Sequence, residues 1–291
     1  MRPILRPGTH VLSRGAGELQ LGLDPRGALV LPDSEPVRTS LRLLSASADL
    51  EEHTDPSVVD VLDRHDLVLD ERALIPLLAR DGPVSPHTTA ALARSAGSSA
   101  PAVHRTRDRW RTQTRAFGHA DGMGLRRDFV TLLGAAGLRE HRGRSHPDCG
   151  ALVGVGEPDR ELVDEWTRAG TPYLLVRLTE GRAVVGPFVQ PGTTACLRCL
   201  DAHCTDADPA WPLLVRQYAA AASHDRADGA PEPVDPLLAA LALAWAARDL
   251  TSYVDGHRPS TWSATVTLHP RLDELETRTL LRHPACSCTW D

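Results

Sequence analysis

Four of the six cysteines in this 291-residue chain fall into two close pairs, Cys196-Leu-Arg-Cys199 and Cys286-Ser-Cys288. A thiolate tetrahedron around zinc needs four soft ligands, and a two-residue gap lets one turn present two sulfurs to the same ion. The tighter second pair can offer both sulfurs from an extended segment. Four sulfurs close the coordination sphere and leave no position for water, so zinc held by Cys196, Cys199, Cys286 and Cys288 is expected to be structural. Unpaired surface thiols or a redox CxxC are the alternative, although an isolated redox motif does not account for the second pair. Cys149 and Cys204 stand outside this scheme. Lone cysteines of this kind are commonly buried small hydrophobes, and Cys204 with His203 forms an alternative ligand pair.

The length predicts two domains. Hydrophobic residues make up 42% of the chain and charged residues 24%, with a formal net charge of -6, which favours neither nucleic acid nor an acidic partner. The basic run RTRDRWRTQTR is read as a solvated approach to a strand or as part of a partner surface. MRPILRPGTHVL lacks the apolar stretch of a secretory signal, so a cytoplasmic location is expected. The most apolar run, Leu237 to Ala247, is too short to span a bilayer and predicts a buried helix.

Near the start, GELQLGLD and GALVLPD read as a hairpin across Asp24-Pro25-Arg26-Gly27, with an earlier strand at His10 to Ser13. Val37, Leu41 and Leu44 then mark one face of a helix after Ser34, and a second helix begins at Asp55-Pro56 with Val58, Val61, Leu62 and His65 inward. Strands followed by short helices suggest a winged-helix-like module over residues 1–85. The segment GPVSPHTTAALARSAGSSAP has linker composition, and residues 86–107 are assigned as a linker.

Residues 108–291 alternate strand and helix, which predicts an α/β domain. Strands are expected near Gln113 to Phe117, at Ala151 to Val155, and at YLLVRL and AVVGPFV around Glu180-Gly181. Helices are expected at Leu125 to Ala136 and Asp159 to Arg168. After the first cysteine pair the pattern is mostly helical to Tyr253. WSATVTLHP then reads as a strand, and ELETRTLL as another strand or a short helix. His203, Asp208 and ADPAW are read as the close of one element and the opening of a helix.

The stretch VVGPFVQPGTTACLRCLDAHCTDADPAWPLL resembles the PG-x-x-x-C-x-x-C turn of ThiF and MoeB activating enzymes. More closely, it resembles the ocin-ThiF-like proteins, also called TOMM precursor leader peptide-binding proteins. That resemblance implies a winged-helix-like peptide-recognition module joined to a ThiF-like, Rossmann-type α/β domain with a zinc site. It also implies a homodimer that binds the leader of a ribosomally made precursor peptide and assists a YcaO-type cyclodehydratase. The leader would add as a strand beside the third strand, Gly27 to Leu31, and a third helix from about Pro56 to Asp66, giving Val30, Leu31, Val59, Leu62 and Asp63 as groove residues. Neither nucleic acid nor a membrane is an expected partner.

Two departures bear on activity. An adenylating relative needs a Gly-rich turn to receive ATP phosphates, and AFGHADGMGLRRDFVTLLGAAGL holds Gly118, Gly122 and Gly124 without the GxGxxG spacing. Where such enzymes carry a magnesium-holding aspartate, the sequence reads Val155-Gly156-Glu157-Pro158-Asp159. Glu157 and Asp159 are read as N-cap and first-turn acids of the next helix, with metal binding as the alternative. No ATP cofactor and no catalytic residue are therefore expected. The alternative function is an active adenylating enzyme acting on a peptide or carrier-protein C-terminus.

Overall fold

The computed structural model describes residues 2–24, 26–46, 54–72, 75, 84–118, 123–143, 145–221 and 232–289. The chain forms two compact units, Met1–Arg105 and Thr106–Asp291.

In the first unit, β2 (Val11–Gly15), β3 (Glu18–Leu21) and β4 (Leu29–Pro32) form an antiparallel sheet in the order β2-β3-β4. Gly15, Ala16 and Gly17 all take positive φ, which turns β2 back onto β3. Leu19 and Leu21 point inward while Gln20 lies between them, and Leu31 joins the same buried side. Helix α1 (Glu35–Ala46) covers this face with Val37, Leu41 and Leu44. Helix α2 (Pro56–Arg64) starts where Asp55 accepts the Ser57 amide at 2.9 Å with Pro56 in the first turn, and it adds Val58 and Leu62 to the core. A full Leu side chain such as Leu62, 0% exposed, contributes about 1.5–3 kcal/mol by its burial.

Two features were not anticipated. Strand β1 (Pro3–Leu5) pairs with β5 (Val68–Asp70), Ile4 opposite Leu69. The segment assigned as a linker is also helical: α3 (Pro86–Ala96), a 3-10 turn at Gly97–Ser99, and α4 (Ala100–Arg109). Ser85 Oγ accepts the Thr88 amide at 3.1 Å, Pro86 starts the helix, and Leu92, Ala93 and Ala100 pack with Ile4 and Leu69. The alanines that suggested low complexity are helix formers, and this packing gives them a core to join.

The second unit is built on a seven-stranded sheet in the order β12-β11-β10-β9-β8-β6-β7. Its strands are β6 (Arg111–Phe117), β7 (Arg139–Glu140), β8 (Cys149–Val155), β9 (Tyr173–Thr179), β10 (Arg182–Val189), β11 (Ala264–Leu268) and β12 (Leu275–Thr279). Strands β7, β6, β8 and β9 are parallel, and from β9 to β12 the pairs are antiparallel. The whole of β8 is buried, as a central parallel strand covered on both faces must be. Ala151, Val153 and Val155 face α5 (Leu125–Ala135) and α9 (Pro236–Val254). Leu152 faces the other layer, where Val163 and Trp166 of α6 (Glu161–Arg168) meet Leu197 and Leu200 of α7 (Leu197–Ala207). The β9–β10 hairpin turns at Glu180 and Gly181, both at positive φ, the conformation that two-residue hairpins favour.

The apolar run beginning at Leu237 extends further than its sequence pattern indicated. Helix α9 has 19 residues and passes a membrane span's length and composition test, with 56% of that window buried. Its buried side holds Leu238, Ala242, Leu243, Ala246 and Leu250 against the sheet. ELETRTLL resolves as strand β12, and ADPAW separates α7 from α8 (Trp211–Ala221). The basic run is less solvated than its composition suggested, because Arg107 is 7% exposed and paired with Asp255. Arg115 bonds Glu165 at 2.6 Å and lies 4.4 Å from the Trp166 ring centre.

Candidate functional site: a four-cysteine centre and a strand-end cleft

The hairpin strand β10 ends at Val189, and a turn at Gln190–Thr194 leads to Cys196, which caps α7. The amides of Cys199 and Leu200 return to the Cys196 carbonyl at 3.1 and 3.2 Å, so the CxxC occupies a helix N-terminus, whose positive end favours thiolate. The second pair is brought alongside by Ser263, whose Oγ receives the Ala195 amide and donates to the Leu280 carbonyl.

All four sulfurs lie within 4.8 Å of one another. The Cys196–Cys199 and Cys196–Cys286 separations are 3.7 Å and Cys199–Cys288 is 3.3 Å. A zinc tetrahedron with bonds of about 2.3 Å has sulfur–sulfur edges of about 3.8 Å, so these residues fit such an ion. The neighbouring thiols shift one another in opposite directions. The Cys199 thiol is held down to about 4, first by the hydrogen bond from the Cys196 thiol, whereas that same bond and burial push Cys196 upward. Cys288 is pushed up to about 12, first by burial. Cys149 is fully buried in the β8 core and Cys204 is half-buried.

The second feature is a cleft of about 810 Å³ at the carboxyl ends of β6 and β8, lined by Phe117, Gly118, Glu157 to Leu162, Asp201 and one face of α8. The chain leaves β6 toward β7 on one side and leaves β8 toward β9 on the other. Open α/β sheets bind ligands at such a switch point. Gly154 sits opposite Phe117, and a Cβ there would lie 2.4 Å from the Phe117 carbonyl oxygen, so only glycine fits. Gly118 and Gly124 both have positive φ; His119, Ala120 and Gly122 lie outside the described residues.

Inside the cleft the carboxylates are already engaged. Arg160, 9% exposed, bonds Asp201 through Nε and Nη2 at 2.8 and 2.7 Å, and through Nη1 reaches Glu157 and the Pro158 carbonyl, both at 2.8 Å. Arg177 holds the other Glu157 oxygen at 2.6 Å. Trp211 Nε1 donates to Asp201 at 2.9 Å. Burial opposes the Asp201 charge, yet its carboxyl stays below the usual range because the Arg160 bonds and charge outweigh that cost. Asp159 accepts the Glu161 amide at 3.0 Å just before the helix, whose N-cap position is Arg160 rather than either acid. Glu157 is instead an ion-pair partner of two arginines. Its Arg160 contact has the i,i+3 spacing legible in sequence, but nothing in the sequence pointed to Arg177 or Asp201.

The five groove residues divide in the first unit. Leu31 and Leu62 are core, at 9% and 0% exposure, and cannot line a groove; Val30 is 36% exposed, Asp63 is exposed and Val59 is half-buried. The period-two and helical spacings put Leu31 and Leu62 on the inward faces of their elements, where the small core takes them first. Helix α2 is the second described helix of the unit, not a third. Strand β4 is an edge of its sheet, and among the described residues no strand pairs with its outer side. On the opposite edge a 500 Å³ groove lies between β2 and α1, lined by Val11, Ser13, Arg38 and Arg42 among others.

No protein-family model matches the chain, and no curated protein matches it in sequence. Solved structures do match in fold. The heterocyclase TruD superposes with a TM-score of 0.67 at 16% identity, over 99% of this chain and 42% of the TruD chain. A heterocyclase in complex with substrate and cofactor gives 0.70 at 17% identity, over 99% of this chain and 39% of its own. E. coli MccB with ATP gives 0.59 at 14% identity, over 99% of both chains. The likeness is one of fold. It extends through both units, and the chain spans about two fifths of the heterocyclases it matches.

Proposed function

We propose that this chain binds the leader of a ribosomally made precursor peptide and presents its core to a separate YcaO-type cyclodehydratase, which forms the azolines. The observation that carries this reading is the fold: 99% of the chain superposes on heterocyclases, one of them in complex with substrate and cofactor. The free edge of β4 offers unpaired backbone groups for an added strand, with Val30 exposed beside them. The Arg160 clamp supports the absence of adenylation, because it occupies the carboxylates at the strand-end cleft. Zinc at the four cysteines would close the sphere and hold the segment around Cys286 and Cys288 against α7.

The test is titration of the zinc-loaded chain with a fluorescent cognate leader. Binding in the micromolar range or tighter, weakened by Val30→Asp with unchanged thermal stability, is the expected result. No binding at high micromolar concentration ends the proposal.

The full-length match to MccB with ATP, together with the cleft, favours a second reading as an adenylating enzyme. ATP–pyrophosphate exchange dependent on a peptide or carrier-protein C-terminus would replace the first reading with this one.

A further inference from the structure

One turn beyond the CxxC on α7, and three residues before Cys286, a second set of metal-type side chains converges. His203, Asp206 and His283 each offer one donor atom, and these atoms lie within 4.8 Å of one another. None of the three supplies a sulfur ligand or lines the strand-end cleft, although the His283 backbone amide bonds the Cys199 thiol. His203 Nε2 meets the Leu281 carbonyl at 3.1 Å, which places its proton on Nε2 and leaves Nδ1 with a lone pair. Histidine ligands are commonly oriented by a carbonyl in this way. The His203 and His283 rings meet edge to face with centres 4.7 Å apart, and His283 Nε2 lies 2.8 Å from Asp206 Oδ2. His283 is 8% exposed, while the Asp206 side chain is 68% exposed, so one ligand is fixed and one is free to close in.

We propose that a His203 ring nitrogen, Asp206 and His283 Nε2 form a second, thiolate-free site for a divalent transition-metal ion of the zinc class. Imidazole nitrogens with one carboxylate suit zinc, cobalt or nickel over magnesium or calcium. Bonds of about 2.1 Å draw tetrahedral donors to about 3.4 Å of one another, a contraction that the exposed Asp206 can supply. Three protein ligands leave an open position for water or an outside donor, unlike the closed cysteine centre. The ion takes the place of the His283 Nε2 proton. The ring proton then sits on Nδ1, which now accepts the Ala285 amide at 3.1 Å, and that bond is given up. This cost makes the site the weaker of the two.

The experiment uses the full chain with its cysteine centre loaded with zinc. Equilibrium dialysis against micromolar zinc should add a second equivalent. Cobalt in its place should give weak ligand-field bands without the strong thiolate charge-transfer absorption that entry into the cysteine centre would produce. His203→Asn and Asp206→Asn, both at accessible positions, should weaken the second equivalent by roughly tenfold or more and leave the first in place. A stoichiometry fixed at one ion overturns the proposal. So does a second equivalent that survives both substitutions, or cobalt absorption that is thiolate in character throughout.

Discussion

Replacing Arg160 by Met is the sharpest probe of the strand-end cleft. The substitution keeps the apolar stem and removes two bonds to Asp201, one to Glu157 and one to the Pro158 carbonyl. Glu157 retains Arg177, and Asp201 retains only Trp211 among its side-chain hydrogen bonds. The Asp201 and Glu157 side chains are 19% and 14% exposed, so the loss belongs with broken buried pairs, about 3–5 kcal/mol. In a unit of this size each kcal/mol shifts Tm by about 2–4 °C, which gives a drop of roughly 6–20 °C.

All six tryptophans lie in the second unit, so fluorescence melting reads that unit alone. The deficit should also depend on pH. Asp201 is depressed in the folded state, so its contribution is complete above its unfolded pKa of about 3.9 and is lost as pH falls through the lower folded value. In Arg160→Met a buried charge lacks its main partner at neutral pH and is relieved on protonation. The two proteins should therefore converge below about pH 4. A shift under about 2 °C at pH 7, as for a surface ion pair, would refute the clamp.

Chelation of zinc, or Cys199→Ser, should lower the fluorescence melting temperature and expose the segment from His283 onward to proteolysis, while leader affinity measured below the melt stays within a few fold. Gly154→Ala should destabilise the second unit by about 1–3 kcal/mol or more, because its Cβ would meet backbone at 2.4 Å. Denaturant titration checks this, and Gly134→Ala, which meets nothing within 4 Å, is the control.

Much of the second unit is legible in the sequence because its strands are short apolar runs bounded by glycine turns. β8, β9 and β10 announce themselves, and the cysteine spacing predicts partners 90 residues apart. Helices α3 and α4 were hidden because Ala, Ser and Gly are shared by linkers and helices, and only the packing of Leu92, Ala93 and Ala100 on Ile4 and Leu69 distinguishes them. The clamp was hidden for another reason: Arg177 lies inside a strand and Asp201 inside a helix, and no local spacing links them to Glu157. In the groove, the family resemblance pointed to the edge of β4 but could not separate Leu31, which the core takes, from Val30, which it leaves exposed.

A metal held by the cysteine centre would join Cys199 to Cys286 across a loop of roughly 90 residues that contains α8, α9, β11 and β12. A tie of that length acts on the unfolded chain as much as on the folded one. In the chain-entropy picture a closed loop of this size lowers the unfolded state's entropy by an amount equivalent to about 4–5 kcal/mol. A chain that kept its metal while unfolding would remain a ring, with α9 still tethered near the strands it must find again. Refolding from the metal-loaded state should then be faster than from the apo state, by removing one long search in the second unit.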